Sequence, residues 1–194
     1  MLAIALASSL YAWLSYGGYS ISKQFFWDAI FLWPRALLGA MWIEHLYYLN
    51  FTQLPNAAKI PEEHCGPAIS KVVASAALFW SRRGAVATLV TGLFVAYING
   101  YLAHVLVLGA DEAFAVRRHT FIGVGMWLAI IMFFNVWAVI WPNRRKALGI
   151  GAENGNLEPA VKTKATRTAM LFSRVNVIHS VPMLVAMTDV QNFA

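Results

Sequence analysis

Apolar residues arrive along this chain in long runs, not in the alternation of a strand or the single stripe of an amphipathic helix. The runs cover residues 1–16, 27–50, 67–109, 119–141 and 168–190. About 20 apolar residues carry a helix across a bilayer. The pattern therefore predicts an all-α membrane bundle of about five transmembrane helices plus one interfacial helix, in a single domain over 1–194.

Each run carries its own punctuation. Residues 1–16 lack the basic start and the small-residue cleavage site of a signal peptide, so they are expected to form a short span ended by Gly17-Gly18. Pro34 is expected to kink the second run or mark its first turn. Residues 51–66, with Pro55, Pro61 and Gly66, read as a loop. The run 67–109 is too long for one crossing, and Ser81-Arg82-Arg83-Gly84 is expected to divide it. That gives an interfacial or re-entrant piece at 68–80 and a span at 84–108. Pro142-Asn143 and Arg144-Arg145-Lys146 are expected to close the fourth run, with a polar stretch at 149–166 before the fifth.

Composition strengthens the membrane reading. The chain is 59% hydrophobic and 12% charged, where a soluble domain is about half apolar and a quarter charged. Its eight Trp, seven Tyr and 12 Phe suit interfacial belts and helix packing. The net charge of +6 lies in short groups at the ends of apolar runs, which speaks for orientation and against nucleic acid as a partner. Arg82, Arg83, Arg144, Arg145, Lys146, Lys162, Lys164 and Arg167 fall on one side of a five-span arrangement, expected to be cytoplasmic. Asp111 and Glu112 then lie in an outer loop, with Arg117 and Arg118 against the rule. The expectation is a multi-pass protein of a bacterial inner membrane with a cytoplasmic N-terminus. The single cysteine, Cys65, excludes an internal disulfide and a cysteine metal cluster.

Ionisable and amide groups inside spans are costly and mark interiors or sites. Counting about 1.5 Å per residue from the helix ends puts Glu44, His45, Thr88, Thr91, Asn135, Arg174 and Asn176 at similar depth. Glu44 and Arg174 are expected to pair, offsetting each other's desolvation. The layer reads either as glue between helices or as a ligand or proton site. The histidines form a second set. His104 near one helix end and His119 at the next helix start are expected at one level, with His45 and His179 deeper. Two facing imidazoles suit the axial positions of a b-type haem or a copper ion. The plainer reading of each is an interfacial or hydrogen-bonding histidine. Gly123-Val124-Gly125 reads as close helix packing and His64-Cys65 as a loop pair. A Gly-rich phosphate loop, a Cys-x-x-Cys-His haem attachment and the serine-hydrolase motifs do not occur.

Four stretches resemble one family, in order. Trp42-Ile43-Glu44-His45-Leu46-Tyr47-Tyr48-Leu49-Asn50-Phe51 resembles the W-I-G-x-L-Y-Y-F-N-F segment of the membrane domain that begins bacterial membrane-bound urate hydroxylases, the urate oxidase N-terminal domain. Residues 77–85, followed by Thr91-Gly92, resemble its W-F-R-W-G-A segment. Residues 133–149 resemble its F-N-V-x-x-x-I-W-P-x-Q-K-x-x-L-G segment, and 173–183 its S-R-x-N-x-x-x-S-I-P-M segment. The likeness covers about 30–190, and Asn50, Asn135, Arg174 and Asn176 lie within it. Glu44 and His45 depart from it, since the family has Gly and an apolar residue there.

In that family the membrane domain has more helices, is followed by a c-type cytochrome domain, and passes electrons from urate toward the respiratory chain. The resemblance thus implies a small membrane subunit of a redox or electron-transport complex. It would pack against larger subunits, hold haem, lipid or quinone, and work with a separate c-type cytochrome. A urate- or purine-oxidising dehydrogenase domain is the enzymatic alternative, and a purely structural accessory subunit the plainest one. A transporter component fits least, because neither an internal repeat nor a pair of broken helices shows.

Overall fold

The computed structural model describes residues 11–12, 24–57, 59–61, 72–151 and 157–188, and every regular element among them is helical. Helix α1 (Gln24–Tyr47) runs through a π-helical stretch (Tyr48–Gln53) into α2 (Leu54–Ala57). Helix α3 (Ala74–Ile98) is followed by α4 (Leu102–Leu106) and a 3-10 turn (Ala110–Glu112). Helix α5 (Arg117–Phe134) continues through a second π stretch (Asn135–Ile140) into α6 (Trp141–Leu148). Helix α7 (Pro159–Thr188) closes the described chain.

Two helices, Arg117–Leu148 with mean hydropathy 2.0 and Pro159–Met187 with 1.4, are long and apolar enough to cross a membrane. At 1.5 Å per residue each exceeds the ~30 Å hydrocarbon layer. The expected span at 1–16 lies outside the described residues except for Tyr11 and Ala12, which are helical.

Small residues hold many of the buried positions, beside Trp42, Ile43, Leu46, Met126 and Met132, while other large apolar side chains are exposed. Ala74, Ala77, Ala85, Ala96, Ala129, Ala165, Ala169 and Ala186 are buried. Leu37, Phe51, Tyr97, Phe134 and Ile178 are 60–70% exposed. A water-soluble bundle buries its large apolar side chains. Helices in lipid gain nothing by hiding them and approach each other through small ones.

α1 packs on α3, α7 on α5 and α6, and α4 on α5. Close approach fixes two glycines. A Cβ on Gly84 would stand 3.0 Å from Met41 and 3.3 Å from Trp42. One on Gly123 would stand 2.5 Å from the Val105 carbonyl oxygen, so only glycine lets α4 lie on α5. The expectation of close packing at Gly123 and Gly125 holds, since Gly125 faces Met187 and Ala186 in the same way.

Several boundaries differ from expectation. The sequence Ser81-Arg82-Arg83-Gly84 does not divide its run: α3 passes straight through and ends at Asn99-Gly100, where Gly100 has φ +74°. Arg82 is accommodated because its guanidinium lies over the Trp141 ring, 3.3 Å from the centroid, and Arg83 lies over Phe79 at 3.9 Å. Pro142 does not close its helix but sits in the first turn of α6, directly after the wide π turn. The supposed loop at 51–66 stays helical to Ala57, and α7 begins at Pro159, inside the supposed polar stretch.

Candidate functional site

One face of α7 is buried at every third or fourth position, mostly with small or polar residues: Ala165, Ala169, Ser173, Asn176, Ser180 and Ala186, with Met183 between the last two. Neighbouring helices deliver hydrogen bonds to it. Asn176 Nδ2 donates to the Met132 carbonyl at 3.0 Å, and its Oδ1 accepts from Asn135 Nδ2 at 2.9 Å. Asn50 Nδ2 donates to Ser173 Oγ at 2.7 Å and to the Leu46 carbonyl at 2.8 Å. The Tyr47 hydroxyl meets Ser180 Oγ at 2.8 Å while Ser180 donates to the Val177 carbonyl. Asn50 and Asn135 both belong to the π stretches, where a wider turn re-aims side chains.

Of the expected polar layer, Asn135 and Asn176 meet. Glu44 and Arg174 are exposed and form no ion pair with each other. His45 donates to the Met41 carbonyl of its own helix at 2.7 Å, and Thr91 to the Ala87 carbonyl at 2.7 Å. His179 is half-buried on α7, and its Nδ1 has no partner. Counting depth fixes the height of a residue but not the side of the helix it faces. The spacing of Ser173, Asn176 and Ser180 carried that second coordinate.

A second feature was missed at the sequence level. Between α1, α3, α5 and α7 lies a cavity of about 310 Å³ lined by Arg35, Gly39, Trp42, Thr88, Met183 and Met187 among others. Arg35 donates from Nη2 to Met187 Sδ at 3.4 Å, a weak acceptor for a group with five N–H donors. A Cβ on Gly92 would stand 3.7 Å from Arg35 Nε, in ordinary contact. The Thr88 hydroxyl and the Trp42 indole N–H are buried without a partner. An arginine inside an apolar run was the available signal.

The third feature joins α4 to α5. His104 and His119 stack face to face, ring centres 5.1 Å apart and 8° from parallel, so the expectation of one level holds. His104 Nδ1 lies 2.6 Å from Asp111 Oδ2 and 3.8 Å from Glu112 Oε1. His119 Nδ1 lies 2.5 Å from Glu112 Oε2, and Tyr101 stacks on its other side. One donor atom each from His104, Glu112 and His119 fall within 4.8 Å of one another. The acids come from a turn with left-handed backbone at Leu108 (φ 59°), Gly109 (φ 76°), Ala113 (φ 50°) and Phe114 (φ 60°). Asp111 follows His104 by seven residues and Glu112 precedes His119 by seven. The sequence reading had treated these two acids only as loop charges.

No family model, curated protein or solved structure matches the chain.

Proposed function

We propose that this chain is an integral-membrane subunit of a redox or electron-transport assembly, crossing the bilayer several times. In this reading it holds a small ring ligand bearing oxygen acceptors, a quinone or an oxopurine, in the cavity at Arg35. The observation that carries it is convergence of unused donors. Arg35, Thr88 and Trp42 line one apolar cavity between the helices, and among the described residues the guanidinium's acceptor is a thioether. A mostly apolar pocket with a few polar groups aimed inward is the usual form of a small-molecule site. A charge kept among apolar helices is costly unless it serves.

The apolar outer surface supports insertion in a bilayer. The likeness to the urate hydroxylase membrane domain supports the redox setting. Its quoted segments supply Asn50, Asn135, Ser173, Asn176 and Ser180, the residues of the α7 seam. What the likeness would share is then chiefly the scaffold. Electron transfer would require a partner such as a c-type cytochrome, with the basic groups at 82–83 and 144–146 on the cytoplasmic side.

The test uses the full chain. Membranes are first washed with alkaline carbonate, and the detergent-purified protein is titrated with a short-chain ubiquinone and, separately, with urate, following tryptophan fluorescence. Retention in the washed membrane and saturable quenching by ubiquinone, lost in Arg35→Met, is the expected result. Saturation by urate instead selects the purine-oxidising alternative. Release by carbonate, or quenching by neither compound, overturns the proposal.

A further inference from the structure

We propose that the α4–α5 end of the bundle binds one divalent transition-metal ion through His104, Glu112 and His119, with Asp111 holding the His104 ring. The proposal stands apart from the reading of the Arg35 cavity and shares no residue with it.

The donor set argues for the class of ion. Two imidazoles and a carboxylate suit zinc, copper, iron or nickel, whereas calcium and magnesium take oxygen ligands almost alone. The three donor atoms lie within 4.8 Å of one another. Turning the two imidazoles out of their stack would bring such a set to the ~2.0–2.2 Å bonds of a shared ion. The stacked rings narrow the choice further. Their ring centres are 5.1 Å apart and the planes 8° from parallel, which leaves no room for a porphyrin plane between them. Axial haem ligands would present nitrogens to each other across the iron, so a haem between this pair does not fit.

The surrounding geometry supports a built site. Asp111 Oδ2 lies 2.6 Å from His104 Nδ1, the outer carboxylate that commonly fixes the orientation of a ligating imidazole. Tyr101 stacks on His119 and limits the rotation of its ring. Leu108, Ala113 and Phe114 hold left-handed backbone without being glycine. Such strain persists where the surroundings enforce it and gathers at functional sites. Here it folds both acids back over the histidines. Three protein donors leave a fourth position open to water or a substrate.

The experiment is a metal titration of the full chain in mild detergent, tag removed and stripped with chelator. Cobalt(II) serves as the optical probe and zinc(II) as competitor. One cobalt per chain is expected, with visible d–d absorption that zinc abolishes. His119→Ala should lose saturable binding. Glu112→Gln, which keeps the side-chain volume, should do the same if the histidine variant fails to fold. Asp111→Asn should weaken binding by about 10- to 100-fold, as outer-sphere partners do. Absence of saturable binding, or binding unchanged in Glu112→Gln with wild-type helix content by circular dichroism, overturns the site.

Discussion

Two places in this bundle hold polar side chains among apolar helices, and they are finished differently. Along the α7 seam the donors of Asn176, Asn135, Asn50 and Ser180 all find acceptors, and what is left over is an acceptor, Asn50 Oδ1. At the Arg35 cavity the hydroxyl of Thr88 and the indole of Trp42 find none, and the guanidinium finds a sulfur. Both involve the same helices, so local sequence character does not separate them. Completion of the hydrogen bonds does. A buried donor that is satisfied contributes about 1 kcal/mol, while one left bare costs 1–3 kcal/mol. The seam therefore reads as the part that holds the helices together. The cavity is the part whose cost calls for a ligand.

The comparison predicts unequal mutants. Asn176→Ala breaks two interhelical hydrogen bonds and leaves Asn135 and the Met132 carbonyl unpaired. It should lower stability by about 2 kcal/mol, given the 0.6–1.7 kcal/mol measured for such bonds between membrane helices. Thermal melting of the full chain in detergent reads this. Tyr47→Phe removes the bond to Ser180 and should cost about 1 kcal/mol by the same assay. Arg35→Met keeps the bulk and deletes a poorly paired charge, so melting should hold or rise, by up to about 1 kcal/mol. A sharp loss of stability there would place Arg35 in the scaffold and dissolve the contrast. Thr88→Val keeps the shape and removes a hydroxyl without a partner. By the cost of a bare donor, stability in the same melting assay should rise by about 1 kcal/mol.

The sequence carried the helices well and their partners poorly. The apolar runs marked every long helix described, because length and hydrophobicity are local properties. The continuity of α3 was not local: it depends on Trp141, about 60 residues away, giving Arg82 an aromatic face. Asn135 and Asn176 fell at matching depth and do meet. Glu44 and Arg174 matched in depth as well, yet both face outward. The seam was legible only in the spacing of Ser173, Asn176 and Ser180. The segment that carries Asp111 and Glu112 was legible as a loop, but its fold back onto the histidines was not. Of its left-handed positions Gly109 announces a turn, while Leu108, Ala113 and Phe114 do not.

The π stretch at Asn135–Ile140 holds one residue more than an ordinary helix places over the same rotation, because its turns close one residue later. A single-residue deletion there would close the wide turn into an ordinary helix and leave the phase of Trp141 and Arg144 nearly unchanged. The same deletion within Arg117–Phe134 would rotate everything beyond it by about 100°, the angle that 3.6 residues per turn assigns to one residue. Trp141 would then swing off Arg82, and Arg144 would turn out of the interior. Between Phe134 and Trp141 the chain thus carries a spare residue, and the rod from Arg117 to Leu148 should tolerate a loss there far better than one a turn earlier.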